Sequence, residues 1–379
     1  MSSKRPFAVR GLLALGGRLE PGAVIIENGL IAGIERNARD GDLPEQVVEA
    51  PIVAPGFIDL QVNGGFGVEV DDRVESFEVL ARRLPESGVT SYLPTLISSH
   101  EATYPKVFAA FERSRSATGA QAQGMHLEGP FLSPARKGAH SISAIEGATD
   151  ELFDAIADPR IVALMTLAPE RIGAPERIRT LRERGILVSL GHTDATVEQF
   201  TTGVDAGARM ATHLFNAMSP FGHRAPGTIG AVLVEDRVTA GLIVDGVHSH
   251  PAAVRLAMRA KGIDGIVLVT DMMAAAGMPP GTYALGGQDV ATDGISARLP
   301  DGTLAGAILL MNEAIRNTIR WTGIGIADAL RMATEVPARL LNRDDIGAIR
   351  IGARADLVLI DIDLNVIKTL VGGETVFAL

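Results

Sequence analysis

The chain has 379 residues, 46% of them hydrophobic, with no cysteine and a formal net charge of −10. It is long for one ordinary domain and can bury a sizeable core, which excludes a disordered chain. The lack of cysteine excludes disulfides and thiolate metal sites, so any metal must take His, Asp or Glu. An acidic chain with no basic run is also a poor match for nucleic acid.

In chain order, Met1 to Gly17 starts basic and turns apolar in the manner of a signal peptide. Arg10 interrupts the run, and the pattern continues into "GAVIIENGLIAGIE". No apolar stretch reaches the ~20 residues needed to cross a bilayer, so a cytoplasmic protein with no membrane partner is expected. The first fifty residues read as short strands with turns such as Glu27-Asn28-Gly29, and "GAIRIGARADLVLIDIDLNVIKTLVGGETVFAL" at the other end reads alike. Together they predict a small β-sandwich domain from 1–53 and 343–379.

From 54 to 342 the texture changes to strands alternating with helical patterns. Strands are predicted at Phe57–Val62, Thr90–Pro94, Met125–Leu127, Val162–Leu167, Leu187–Leu190, Met210–Leu214, Leu242–Val244 and Ile266–Val269. Eight such units predict an α/β chain with a parallel (β/α)8 TIM-like barrel. In the first, "APGFIDLQVNGGFG", Asp59, Gln61 and Asn63 share one face and Ile58, Leu60 and Val62 the other. After the eighth, a glycine-rich stretch from Ala274 reads as hairpins and a loop beside the active face. Helices are predicted from Ala307 to Trp321 and from Ile326 to Leu341.

Barrel active sites lie at the C-terminal ends of strands, and four of these ends carry candidates. They are Glu128 in "GMHLEGPF", His192 in "SLGHTDAT", His213 in "MATHLFNAMSP" and Asp271 in "LVTDMM". Singly, a buried His or Glu is more often a hydrogen-bonded structural residue. Four ionisable groups at four strand ends are harder to explain that way, because unpaired buried charge is costly. One carboxylate and two imidazoles suit one divalent cation, Zn2+ or Fe2+, with a position open for water, and Asp271 remains available as a base.

The runs "HLEGPFLSPARKGAH", "GHTDAT", "THLFNAMSPFGHRAPGTIGAVL", "LIVDGVHSHP" and "LVTDMMAAAG" resemble the N-acetylglucosamine-6-phosphate deacetylases of the amidohydrolase superfamily, in family order along nearly the whole chain. The resemblance implies hydrolysis of an N-acetyl amide to glucosamine 6-phosphate and acetate. It implies Glu128, His192 and His213 as ligands of one metal, Asp271 as acid/base, and His140 at the acetamido group. It places Gln61, Ala139, Asn216, Ala217, Leu304, Ala305 and Gly306 against an amino sugar phosphate. It further implies that His248 and Arg224 engage the phosphate, the arginine reaching across a homodimer interface. The chain departs from the family pattern at Gly222 and Ala225, which flank His223-Arg224.

The chemistry agrees with these roles. An amide is a poor electrophile, so hydrolysis needs a strong nucleophile, a place for carbonyl charge and a proton for the departing amine. Gln61 and Asn63 stand where many metal hydrolases carry His-x-His, which predicts one metal per site. Gln61 reads as a partner of water or substrate, and Asn63 reads as the same or as turn chemistry alone, a reading that suits it better than it suits Gln61. His100, His126, His223 and His250 read as surface or supporting residues. Two other readings stay open on sequence: a galactosamine epimer as substrate, and a non-catalytic binder on the same fold.

Overall fold

The computed structural model describes residues 5–379; residues 1–4 of the predicted small domain lie outside the described residues. Eight parallel strands follow one another round a barrel in chain order: Phe57–Val62, Val89–Ile97, Met125–Glu128, Val162–Leu167, Leu187–Leu190, Met210–Ala211, Thr239–Leu242 and Ile266–Leu268. The second, fourth and eighth, for instance, are almost wholly buried and rich in Val, Ile and Leu, as strands packed on both faces must be.

The seventh strand begins earlier than the apolar run suggested. Thr239 pairs with the sixth strand opposite Met210, whereas Ile243 and Val244 have left the ladder for the loop that carries Asp245 and His248. Leu214 likewise falls outside the short sixth strand.

The connecting helices start where local chemistry dictates. Val197–Ala206 begins at Thr196, whose hydroxyl accepts from Gln199 N at 3.3 Å while the Gln199 side chain accepts from Thr196 N at 2.9 Å. That cap leaves the preceding "GHTDA" loop at the C-terminal face of the barrel.

Both chain ends join one seven-stranded sheet, in which Gln46–Pro55 lies between Phe7–Leu15 and Leu357–Ile360. The sheet curls round its own apolar core of Val9, Val24, Ile31, Val53, Leu357 and Leu370. A three-stranded antiparallel sheet, Gly281–Leu285, Gln288–Thr292 and Ala297–Arg298, covers Met273–Ala275 beside the barrel mouth.

Two predicted helices differ in an informative way. The first starts at Met311 because Ala307 still pairs with Met272, its N–H donating to Asp271 O at 2.8 Å. The second is broken into Ile326–Arg331 and Glu335–Leu340. In the break, Met332 O accepts from Leu268 N at 3.0 Å and Ala333 O accepts from Ile58 N at 2.8 Å. Those bonds bridge a seam, since no regular ladder joins the eighth barrel strand to the first among the described residues.

Candidate active site

Glu128, His192, His213 and Asp271 meet at one end of the barrel and line a cavity of about 380 Å³. His192, His213 and Asp271 leave their strands through left-handed conformations, with φ of 47°, 29° and 51°. Such backbone costs on the order of 1–3 kcal/mol per residue and concentrates where side chains must be aimed. Gly138, at φ 55°, brings its loop against the His192 ring; a Cβ there would sit 3.1 Å from His192 Cε1.

Three atoms form a tight triangle. His213 Nε2 lies 3.0 Å from Glu128 Oε1, His192 Nε2 lies 3.2 Å from the same oxygen, and the two Nε2 atoms are 3.1 Å apart. Ligands at ordinary zinc distances on a tetrahedron stand ~3.3 Å from one another, so the triangle is close to one face of such a site. The His192 tautomer agrees. His192 Nδ1 is 2.8 Å from Arg136 O, and a carbonyl only accepts, so Nδ1 carries the proton and Nε2 presents its lone pair. Glu128, His192 and His213 therefore fit a divalent cation.

His140 is also near enough to count as a ligand, with Nε2 3.7 Å from Glu128 Oε2 and its ring beside His192. Its other nitrogen decides otherwise. The backbone N–H of Ser98 donates to His140 Nδ1 at 3.1 Å, which requires a bare Nδ1 and puts the proton on Nε2. Burial and the neighbouring His192 push His140 down to about 4, so it faces the cavity as a neutral donor.

Burial opposes ionisation of Glu128, but the imidazoles of His140, His192 and His213 grouped round its carboxylate hold it well below the usual carboxylate range. Asp271 goes the other way: burial, then the Glu128 charge, push it up to about 6. Asn63 Nδ2 donates to Asp271 Oδ1 at 2.7 Å, a tie across 208 residues of sequence. Asn63 lines the cavity, so of its two readings turn chemistry alone does not account for it. The polar face predicted for the first strand is real, and each member has a separate partner. Gln61 Nε2 donates to Glu128 Oε1 at 3.0 Å, and Asp59 accepts from Thr270 Oγ1 at 2.5 Å.

The remaining candidates divide. Ala139, Asn216, Ala217, His248, Leu304 and Gly306 line the cavity. His248 Nδ1 is 2.6 Å from Asp245 Oδ2, which fixes the ring and turns Nε2 away from Asp245. Three candidates lie off the wall. Gln61 is fully buried beneath Glu128, Ala305 packs into the core of the three-stranded sheet, and Arg224 is exposed in the 220–226 loop. His126 is wholly buried, with Nδ1 3.1 Å from Leu60 O and Nε2 2.8 Å from Thr166 Oγ1. His100, His223 and His250 are exposed, and His250 caps the helix Pro251–Lys261. Sequence gave no signal for Ser98, Arg136 O or Thr270, whose parts come from backbone groups or distant contacts.

Comparison with known proteins places this geometry. The amidohydrolase family model matches residues 52–376. The N-acetylglucosamine-6-phosphate deacetylase of Bacillus subtilis (strain 168) is 38% identical, covering 95% of this chain and 93% of that protein. The N-acetylgalactosamine-6-phosphate deacetylase of Escherichia coli O157:H7 is also 38% identical, over 96% of this chain and 97% of that protein. Among solved structures, an aspartate-to-alanine variant of the Mycobacterium smegmatis N-acetyl-D-glucosamine-6-phosphate deacetylase, in complex with N-acetyl-D-glucosamine-6-phosphate, superposes with a TM-score of 0.93 at 31% identity, covering 99% of this chain and 100% of that one. With a family match over most of its length and relatives this similar end to end, the chain belongs to the amidohydrolase family and groups with its N-acetylglucosamine-6-phosphate deacetylases.

Proposed function

We propose that this protein hydrolyses the N-acetyl amide of N-acetylglucosamine 6-phosphate to glucosamine 6-phosphate and acetate, in amino sugar catabolism and recycling. The observation that carries the reading is the Glu128–His192–His213 triangle with Asp271 on the same cavity wall.

Glu128, His192 and His213 would hold one divalent cation, and their N/O donor set suits zinc or ferrous iron alike. When bound, that cation supplies an activated water and positive charge for the acyl oxygen. Asp271 takes the proton from the attacking water and delivers it to the amine as the C–N bond breaks. Asn63 holds one of its oxygens and leaves the other free for this transfer. His140 Nε2–H donates to the carbonyl oxygen as charge develops there.

Asn216, Ala217 and the 304–306 loop flank the sugar in this reading. His248 and Arg224 hold the phosphate, Arg224 as a planar fork from the second subunit of a homodimer. Its exposure in the 220–226 loop, away from its own cavity, supports a reach across an interface. A charged sugar phosphate does not cross membranes unaided, so its consumer belongs in the cytoplasm; no helix of the described residues is long and apolar enough to cross a membrane.

Acetate release from the phosphorylated sugar by metal-loaded protein tests the assignment, and a metal-replete preparation that releases none would overturn it. The relative named for the galactosamine epimer motivates a second reading. Rates on both epimers, each with and without the 6-phosphate, separate the two.

A further inference from the structure

The seam between the first and eighth barrel strands is also where Asp271 emerges. On one side of that seam the main chain of Met332 and Ala333 fills the gap between Ile58 and Leu268. On the other, Val62 bridges Met272, and Asn63 N donates to Met272 O at 2.9 Å. Between these, main-chain pairing is replaced by one side chain. Asp59 Oδ1 accepts from Gln61 N at 3.2 Å and from Thr270 N at 3.3 Å, while its Oδ2 accepts from Thr270 Oγ1 at 2.5 Å. Thr270 Oγ1 in turn accepts from Met272 N at 3.2 Å.

Asp271 is therefore gripped on both sides: Thr270 by Asp59, Met272 by Thr270 and by the end of the first strand. Its own backbone sits at φ 51°, in the left-handed region that costs a non-glycine residue some strain. Asp59 is fully buried, and burial pushes it up to about 7. A carboxyl retained at such a cost, with three donors converging on it, has a geometric task rather than a stabilising one.

We infer that Asp59 is a positioning residue for the reaction: acting through Thr270, it closes the strand seam and aims Asp271 at the reacting amide. The inference rests on the acid/base role proposed for Asp271. It does not require Asp59 to touch substrate, which the 0% exposure of Asp59 precludes.

The test compares Asp59→Ala, Asp59→Asn, Thr270→Val and Asp271→Asn in the full chain, with metal content, kcat and KM measured for each. A misplacement of the base by about 1 Å costs roughly 100-fold, so Asp59→Ala should lose about 10- to 100-fold in kcat while KM stays within about threefold and one metal per site is kept. Asp59→Asn should recover at least about tenfold of that loss. Its amide oxygen can accept the two backbone N–H groups, and its NH2 can donate to Thr270 Oγ1, whose own proton turns to Gln61 O, 3.3 Å away.

Thr270→Val should fall about threefold to tenfold in kcat at unchanged KM, and it carries the test if Asp59→Ala does not fold. Full kcat per metal-loaded site in Asp59→Ala, or in Thr270→Val, overturns the inference. So do equal losses in Asp59→Ala and Asp59→Asn, which would make charge, not placement, the contribution of Asp59. Asp271→Asn separates the two levels: near-normal turnover there overturns the role of Asp271 itself, whereas an inactive Asp271→Asn beside a fully active Asp59→Ala overturns only the positioning role.

Discussion

The backbone N–H of Ser98 donates to His140 Nδ1 at 3.1 Å, with Ser98 Oγ 2.9 Å from the same nitrogen, and this sets His140 apart from His192 beside it. His192 meets a carbonyl through Nδ1 and so presents a bare Nε2; His140 meets an N–H and so presents a proton. His140→Asn should therefore keep one metal per site while kcat falls by about 10²–10³-fold, the usual loss when an oxyanion donor is removed. Metal analysis alongside steady-state kinetics checks this, and loss of the metal in that variant would return His140 to the ligand set.

The opposite pattern is expected at the triangle. His192→Asn and Glu128→Ala should lose metal and turnover together, because each would remove one of the three groups proposed to hold the cation. Chelation should abolish activity in the unmodified protein, and about one equivalent of zinc or ferrous iron per chain should restore it. A requirement for two equivalents would contradict the single site.

The pH profile should carry an acid limb from Asp271. Burial and the Glu128 charge raise Asp271 to about 6, and a base works only when ionised, so activity falls as pH drops through that value. A cation held by Glu128, His192 and His213 favours ionised Asp271 and moves the limb to pH 6 or below. A log(kcat/KM) profile in which the acid limb lies above pH 8 would count against Asp271 as the base.

Arg224 offers a test of both phosphate recognition and assembly. Arg224→Ala should raise KM for the phosphorylated substrate about 10- to 100-fold and leave the unphosphorylated sugar unaffected, as removal of a bidentate phosphate contact does. Mixing Arg224→Ala with Asp271→Asn subunits should regenerate some sites that have both residues. If mixed dimers gain no activity over either parent, the arginine does not act across an interface.

His126 is expected to govern stability. It is wholly buried and bonded at both nitrogens, and burial pushes it down to about 4. Its folded value lies below its free value, so the unfolded chain binds more protons between them. The stability it contributes is present above about pH 6.5 and is lost as pH falls through 4. His126→Ala should cost about 2–4 kcal/mol at neutral pH by leaving a cavity and unpaired groups at Leu60 O and Thr166. Denaturant unfolding at pH 7 and pH 4.5 measures both effects, with a smaller difference between the two proteins at the lower pH.

Much of the site was legible because barrels put chemistry in a predictable place. Strand periodicity located Glu128, His192, His213 and Asp271 at strand ends, and one ladder direction carries all such ends to one face. The helix break at Met332–Thr334 had one signal in "IADALRMATEVPARLL", Pro337, which has no N–H to donate to Ala333 O four residues back; the rest of the stretch is helical by pattern. What the sequence does not show is the use of the break: Met332 O and Ala333 O accept hydrogen bonds from two barrel strands, partners that only the fold brings there.

Sequence by itself determined the barrel, the cation-binding residue types, and the presence of amides at Gln61 and Asn63 in place of histidines. Those follow from local pattern and side-chain chemistry, which are written residue by residue. Only the tertiary structure decided which ring nitrogen meets a carbonyl and which an N–H, that Asn63 donates to Asp271, and that Asp59 is tied to Thr270 across the seam. Each of those depends on a hydrogen bond between groups 42 to 211 residues apart. A proton's place on a ring or carboxyl is set by whatever atom the fold brings within 3 Å or so, and no spacing in the chain encodes that meeting.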